Sequence, residues 1–349
     1  MTANLERYSR QMRVPGIGKA GQERIRAARV TLCGVGALGT VLANTLVRAG
    51  VGHVRVIDRD FVEPSNLQRQ VLFDESDVTN NLPKAEAAAA KLRAINSEVV
   101  IEPIVADIDR TNIEDLCRDA DLILDGTDNF EVRYTINDAA IKLNKPWVYG
   151  GAVGVEGMTM TIVPGETPCL RCVFEQSPGP GEVGTCETAG VLGPIVGVVA
   201  SLQATEALKI LAGRGDAINR ELFLINIWEN TTRRVKVAPL KGRKGKCPCC
   251  ALRQFEWLDG EHGTQTTSLC GRNAVQVSHR RGGAVNFAEL RKQLDGATAV
   301  TANKFLMKFT ITEGDDGYDF TVFPDGRAII KGTDDTERAR VLYAKYLGN

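Results

Sequence analysis

The stretch Val30-Thr31-Leu32-Cys33-Gly34-Val35-Gly36-Ala37-Leu38-Gly39 constrains the fold more than any other part of this chain. Arg29–Cys33 has the length and apolar character of a buried strand. It runs directly into G-x-G-x-x-G and then into a helical pattern, Thr40–Ala49, built on small residues. Gly34 permits a sharp exit from the strand, Gly36 lets backbone approach a phosphate, and Gly39 lets the helix pack close to the strand. The helix N-terminus then offers unpaired N–H groups to an anion. A second apolar run, Val54–Ile57, ends in Asp58, where an acid suits a ribose hydroxyl. These glycines point to a nucleotide but leave open whether it is a redox cofactor or ATP.

The rest of the first half repeats the alternation. Lys84–Asn96 is an alanine-rich helix, and Val99–Val105, Leu122–Leu124 and Trp147–Tyr149 read as further strands. The charged residues 1–28 read as a helix packed on the outside. Alternating strands and helices imply an α/β, Rossmann-like fold with a mainly parallel sheet flanked by helices. Ligands in such sheets bind beyond the carboxyl ends of the strands. Gly34, Asp58, Asp125–Asn129 and Gly150 are all expected there. After Gly151 the texture changes: Thr159–Val163 and Arg233–Ala238 read as an antiparallel extension, and Ser201–Leu211 as a helix.

The expected boundaries are a nucleotide-binding domain over 1–258, a linker over 259–265, and a small α+β domain over 266–349. The last shows a helix at Asn286–Leu294, a strand at Lys304–Ile311 and a hairpin turning on Pro324-Asp325-Gly326. Thr336 is its expected N-cap for a final helix, Glu337–Leu347.

Composition removes several classes of function. The 43 basic and 43 acidic residues balance, which argues against a dominant nucleic-acid surface. The most apolar stretch, Ala189–Ala204, is short for a membrane span and contains Pro194, so it reads as a buried helix or the entry to one. The start lacks an apolar secretory segment, and nine cysteines then suggest metal or thiol chemistry in the cytoplasm rather than a disulfide framework. No Walker A loop or G-x-S-x-G elbow occurs, and the three histidines show no ligand spacing.

The loop after the second strand is more polar than a dehydrogenase requires. It carries Asp58, Asp60, Asn66, Gln68 and Arg69, and Lys84 follows. Expelling pyrophosphate from ATP needs cations against the phosphates, which Arg69 and Lys84 can supply. Asp128, past the fourth strand, suits a magnesium ion beside polyphosphate. Asp125 suits the same role or a helix cap, and Asn129 suits a ligand contact or a helix start.

The cysteines form groups. Cys169/Cys172 and Cys247/Cys250 are two C-x-x-C pairs with the knuckle spacing of a four-thiolate zinc site, which would pin two distant stretches together. Cys249 is spare, and Cys33 and Cys117 read as buried bystanders. Cys186 sits in a glycine-rich loop, where a thiol of lowered pKa could attack an activated acyl group.

Taken in order, Arg7-Tyr-Ser-Arg10-Gln, Gly34–Gly39, Asp58-Arg-Asp60, Ser65-Asn-Leu-Gln-Arg69-Gln, Pro83-Lys84, Asp125-Gly-Thr-Asp128-Asn129, both C-x-x-C pairs and Thr185-Cys186-Glu-Thr-Ala-Gly190 closely resemble the MoeB/ThiF family over about residues 5–255. These are adenylyltransferases that activate ubiquitin-like sulfur-carrier proteins. The resemblance implies that Asp58 binds the ATP ribose, that Asn66, Arg69 and Lys84 contact phosphates, and that Asp128 supports magnesium. It implies a homodimer in which Arg10 reaches the other subunit's ATP. The implied substrate is a C-terminal Gly-Gly carboxylate, which attacks the α-phosphate. Cys186 matches a thiol that forms a covalent link to the carrier in some members and is dispensable for adenylation in others. Some members end in a rhodanese domain. The surroundings of Cys270 do not look like a rhodanese loop, and the C-terminal domain reads instead as a docking module.

Two rivals remain at this stage. An NAD(P)-dependent oxidoreductase fits Gly34–Gly39 and Asp58 but leaves Arg69, Lys84 and the cysteine loop unexplained. A non-catalytic partner-binding scaffold would be expected to lack the phosphate-binding residues, which are present.

Overall fold

The structure is a computed structural model that describes residues 5–175, 189–237, 246–260, 267–269, 273–277, 285–294, 297–313 and 316–347. The chain divides into two compact units, Met1–His262 and Gly263–Asn349.

The first unit opens with two short 3-10 turns and α1 (Gly18–Ala27). It then alternates through β1 (Arg29–Cys33), α2 (Ala37–Ala49), β2 (His53–Ile57), α3 (Glu75–Thr79), α4 (Lys84–Ile95), β3 (Val100–Ile104), α5 (Ile113–Cys117), β4 (Leu122–Asp125), α6 (Phe130–Leu143) and β5 (Trp147–Val153). The antiparallel extension follows as β6 (Glu156–Ile162), α7 (Leu170–Val173), α8 (Gly193–Leu211), β7 (Leu222–Asn226), β8 (Thr231–Val235) and α9 (Glu256–Asp259). The strands form one sheet in the order β3-β2-β1-β4-β5-β6-β7-β8, parallel through β5 and antiparallel beyond it. The switch in strand order lies between β1 and β4, and a crevice opens beyond the strand ends at such a point.

Both faces of the parallel part of the sheet are covered, as a parallel sheet requires, whereas the edge strand β8 is largely exposed. Leu122 and Leu124 of β4 join the layer formed with α2, α4 and α8, while Ile123 joins the opposite layer with α5 and α6. Helix α2 packs close to the sheet because Gly39 and Ala43 are small, and it buries Leu38, Leu42 and Leu46. It ends at Gly50, with φ +82°, where a Cβ would meet the ring of Tyr8 at 2.4 Å. Helix α8 starts eight residues before the expected Ser201, because Pro194 lies in its first turn, where no intrahelical N–H bond is lost. By length and composition it is the one helix among the described residues apolar enough to cross a membrane. Half of it is buried in the unit, where it packs on α2, β5 and β6.

The second unit is an antiparallel sheet with two helices. Its elements are β9 (Thr267–Leu269), β10 (Ala274–Val277), α10 (Phe287–Gln293), β11 (Thr298–Ala302), β12 (Met307–Glu313), β13 (Asp316–Val322), β14 (Ala328–Lys331) and α11 (Thr336–Leu347). The sheet order is β11-β12-β13-β14-β10-β9. Its core stacks Phe309 on Phe320, with ring centroids 4.8 Å apart, under Ala339 and Leu342 of α11. The cap of α11 differs from the sequence reading. Asp335 Oδ1 accepts the N–H groups of Glu337 and Arg338 at 2.8 and 3.2 Å, and Thr336 is the first helical residue. A carboxylate one position earlier reaches the same orphan donors and adds favourable charge at the helix N-terminus.

Candidate active site

The glycine turn is built by close backbone packing. Gly34 leaves β1 with φ +89°, and a Cβ there would lie 2.7 Å from Gly126 O. A Cβ on Gly39 would lie 2.1 Å from Gly34 O, and one on Gly126 would lie 2.4 Å from the same oxygen. Three glycine backbones therefore meet where β1, α2 and the end of β4 converge. Gly36 differs: the nearest heavy atoms to its Cβ position are 3.9 Å away, so its space stays open at the start of α2.

Asp58 closes this turn from below. Its carboxylate accepts the N–H of Val35 and the N–H of Asp60, each at 2.7 Å. Burial pushes its pKa up and the neighbouring Asp60 adds to this, while the charge of Lys84 opposes it. Lys84 opens α4, with its side chain 5% exposed and its Nζ 3.3 Å from Asp60 Oδ2. Its own N–H donates to Asp60 O at 2.8 Å, which fixes the helix start beside the loop. Arg59 completes an alternating run of charge through Asp107 at 3.0 Å and Asp60 at 3.7 Å.

The loop ahead of α3 is preset by its own polar groups. Asn66 is buried and its Oδ1 accepts the N–H of Glu63 at 3.1 Å. Arg69 donates to Ser65 O at 2.8 Å. Gln70 is buried with Oε1 unpartnered among the described residues, and its amide lies toward Gly36. Arg10 is exposed, at the start of a 3-10 turn far along the chain from this loop.

The segment after β4 separates residues that look alike in sequence. Asp125 is fully buried and neither caps α6 nor faces solvent: it accepts Thr127 N–H at 2.9 Å, Thr127 Oγ1 at 2.7 Å and Arg133 Nε at 3.0 Å. Burial pushes its pKa up and Arg133 opposes this. Asn129 is the N-cap of α6, accepting the N–H of Glu131 at 2.8 Å. Asp128, between them, is exposed. Sequence reasoning passed over Arg133 and Gln203. Nothing in the sequence separates them from the other polar residues of their helices: α6 also buries Thr135, Asn137 and Asp138, and α8 also buries Glu206.

The two C-x-x-C pairs come together. Sγ distances are 3.8 Å for Cys169–Cys172, 3.6 Å for Cys169–Cys247 and 3.5 Å for Cys172–Cys250, and all four sulfurs lie within 4.8 Å of one another. A tetrahedron with metal–sulfur bonds of about 2.3 Å has edges of about 3.8 Å, so the group fits a tetrathiolate metal centre. Cys249 points elsewhere and takes a hydrogen bond from Asn137 Nδ2 at 3.2 Å. Cys33 and Cys117 are buried. Cys186 and Cys270 lie outside the described residues.

The comparisons with known proteins agree with this arrangement. The ThiF family model matches residues 8–249. The sulfur carrier protein ThiS adenylyltransferase of Bacillus subtilis is 44% identical over 343 residues, covering 98% of this chain and 99% of that protein. The sulfur carrier protein adenylyltransferase of Thermus thermophilus is 41% identical over 251 residues, covering 70% of this chain and 90% of that one. A crystal structure of E. coli MccB shares the fold with a TM-score of 0.60 at 24% identity, covering 72% of each chain. The matched family model, the parallel sheet with its antiparallel extension and the full-length similarity together establish that this chain belongs to the ThiF family.

Proposed function

We propose that the chain is an ATP-dependent adenylyltransferase that activates the C-terminal Gly-Gly carboxylate of a ubiquitin-like sulfur-carrier protein. The observation that carries this reading is the convergence of an open glycine turn, the Asp58–Asp60–Lys84 charge group and the Asp125–Asp128 segment at the switch point of a ThiF-family sheet. In this reading the carrier carboxylate oxygen bonds to the α-phosphorus as the bond to the β-phosphate bridging oxygen breaks. The products are an acyl-adenylate and pyrophosphate. The difficulty is to hold one anion against another, so orientation and positive charge do most of the catalysis.

Asp58 takes the ribose with its remaining acceptor sites, while the turn that Gly34 and Gly39 pack brings Gly36 and the first N–H groups of α2 to the phosphates. Asn66, Arg69 and Lys84 bind the phosphates. Lys84 exchanges Asp60 for the polyphosphate, whose charge is greater. In this reading Asp128, exposed after β4, holds magnesium, which would neutralise charge on the leaving pyrophosphate. Arg10, exposed in the N-terminal segment, reaches the ATP of a second copy in a homodimer. Cys186 takes the acyl group from the adenylate as a thioester, releasing AMP. The four cysteines hold a structural zinc ion, supported by their tetrahedral spacing and all-thiolate donor set. Such thiols stay reduced in the cytoplasm, where we place the enzyme.

The similarity to the Bacillus protein runs through the second unit, which supports a carrier of the ThiS type; in this reading residues 266–349 dock the carrier or a partner. The test is ATP–pyrophosphate exchange with purified Gly-Gly-ended carriers, followed by mass analysis of the carrier retained with ATP and magnesium. Exchange and an AMP adduct on one carrier are expected. Tight NAD binding with hydride transfer and no exchange would replace this reading by the oxidoreductase.

A further inference from the structure

Beyond Leu124 and Val148 the backbone ladder between β4 and β5 stops. Two buried side chains enter the gap from opposite faces of the sheet. From α6, Arg133 places Nη2 2.6 Å from Thr127 O and 3.0 Å from Gly150 O, with Nε 3.0 Å from Asp125. From α8, Gln203 donates through Nε2 to Asp125 O at 2.9 Å and to Val148 O at 3.2 Å. Side-chain bonds thus replace the ladder where the two strands part. Gly150 fits this arrangement, because a Cβ there would stand 2.3 Å from the Gln203 amide.

Gln203 Nε2 satisfies the Asp125 and Val148 carbonyls where the ladder ends, while its Oε1 is buried without a partner among the described residues, at a typical cost of about 1–3 kcal/mol. What the wedge achieves is placement. The chain leaves the sheet at Asp125, Gly126 packs on Gly34 and Gly39, and Asp128, two residues further on, is exposed.

We propose that Arg133 and Gln203 are positioning residues that set where Asp128 stands relative to the Gly34–Gly39 turn. The role of Asp128 in this proposal rests on the adenylation reading above. Neither residue touches the nucleotide. They act through the Asp125–Asp128 segment.

The test is the affinity of the full chain for ATP, measured by calorimetry with and without magnesium, for wild type, Gln203→Met, Arg133→Lys, Asp128→Ala and the Gln203→Met/Asp128→Ala double variant. Met matches Gln in length but loses both hydrogen bonds. Lys keeps the charge but has one nitrogen, so it cannot hold the Asp125 carboxylate and the Thr127 and Gly150 carbonyls as Arg133 does through Nε and Nη2. Either single variant is expected to lose about 10- to 100-fold of the magnesium-dependent gain in affinity, a larger loss than in magnesium-free affinity. In the Asp128→Ala background, Gln203→Met should have no further effect. A folded Gln203→Met or Arg133→Lys protein with the full magnesium gain would overturn the proposal, as would additive losses in the double variant. Should Gln203→Met fail to fold, Arg133→Lys decides alone. Absence of pyrophosphate exchange in wild type, with magnesium-dependent ATP binding intact, would sink the adenylation reading, while the affinities would still decide the positioning roles.

Discussion

Gly36 and Gly39 lie three residues apart in one motif, yet the structure assigns them opposite sensitivities. In Gly39→Ala the new methyl would stand 2.1 Å from Gly34 O and 2.9 Å from Gly34 C, against 3.4 Å or more in ordinary contact. Both atoms are backbone, and Gly126 packs on the far side, so no flexible side chain can yield. The N-terminus of α2 must back away from β1 by roughly an ångström, at about 1–3 kcal/mol of overpacking. That shift also carries the phosphate-facing N–H groups out of place. In Gly36→Ala the methyl meets nothing nearer than 3.9 Å, so the fold should keep its stability to within about 1 kcal/mol. Its methyl, however, would occupy the space through which backbone reaches phosphate. Urea unfolding and the KM for ATP in pyrophosphate exchange separate the two. Gly39→Ala should lose both stability and ATP affinity, and Gly36→Ala should lose mainly affinity, with KM up about tenfold or more. A wild-type KM in Gly36→Ala would refute the phosphate role of this turn, and wild-type stability in Gly39→Ala would refute the packing argument.

Other perturbations test other parts of the molecule. Cys186→Ala should keep pyrophosphate exchange and lose any covalent carrier adduct; an undiminished adduct on denaturing gels would move that role to another thiol. Freshly purified protein should contain one zinc per chain by elemental analysis, and Cys172→Ser should lose both the metal and thermal stability; metal-free wild type would remove the zinc assignment. In the second unit, Glu313 accepts from Lys345, Tyr346 and Arg338, and the Lys345 and Tyr346 contacts lead in pushing its pKa down to about 2. Because the folded value is the lower one, its stabilisation is present above the usual glutamate range and fades as pH falls toward 2. The stability gap between wild type and Glu313→Gln, read from hydrogen exchange in β13 and α11, should therefore close with acid; a pH-independent gap would show that these contacts do not act through charge. Removing residues 266–349 should leave exchange largely intact and impair carrier turnover, and full turnover by the shortened chain would end the docking assignment.

Much of the site was legible because its chemistry is carried by short-range pattern. The turn residues of Gly34–Gly39, the acid ending β2 and the lysine opening α4 are each set by what one strand end or helix start needs. Asp125, Asp128 and Asn129 were not separable in the same way. All three are short polar residues after a strand, and any of them could cap a helix or face a ligand. The bonds from Thr127 and from Arg133 of α6 show that the Asp125 carboxylate is consumed inside the protein, and Gln203, from a distant helix, holds its carbonyl. Asn129 then takes the cap, which leaves Asp128 as the exposed carboxylate.

The amino-acid sequence by itself determined that a strand runs into a glycine turn and a helix, that charges suited to polyphosphate follow it, and that two thiol pairs have knuckle spacing. Each depends on neighbours a few residues apart, where backbone geometry alone fixes the relation. Tertiary structure decided that the thiol pairs meet as one group of four, that three glycine backbones from β1, α2 and the end of β4 interlock, and that α6 and α8 each send a polar side chain between the ends of β4 and β5. Those contacts join segments far apart in sequence, and only packing of the two layers on one twisted sheet brings them within reach.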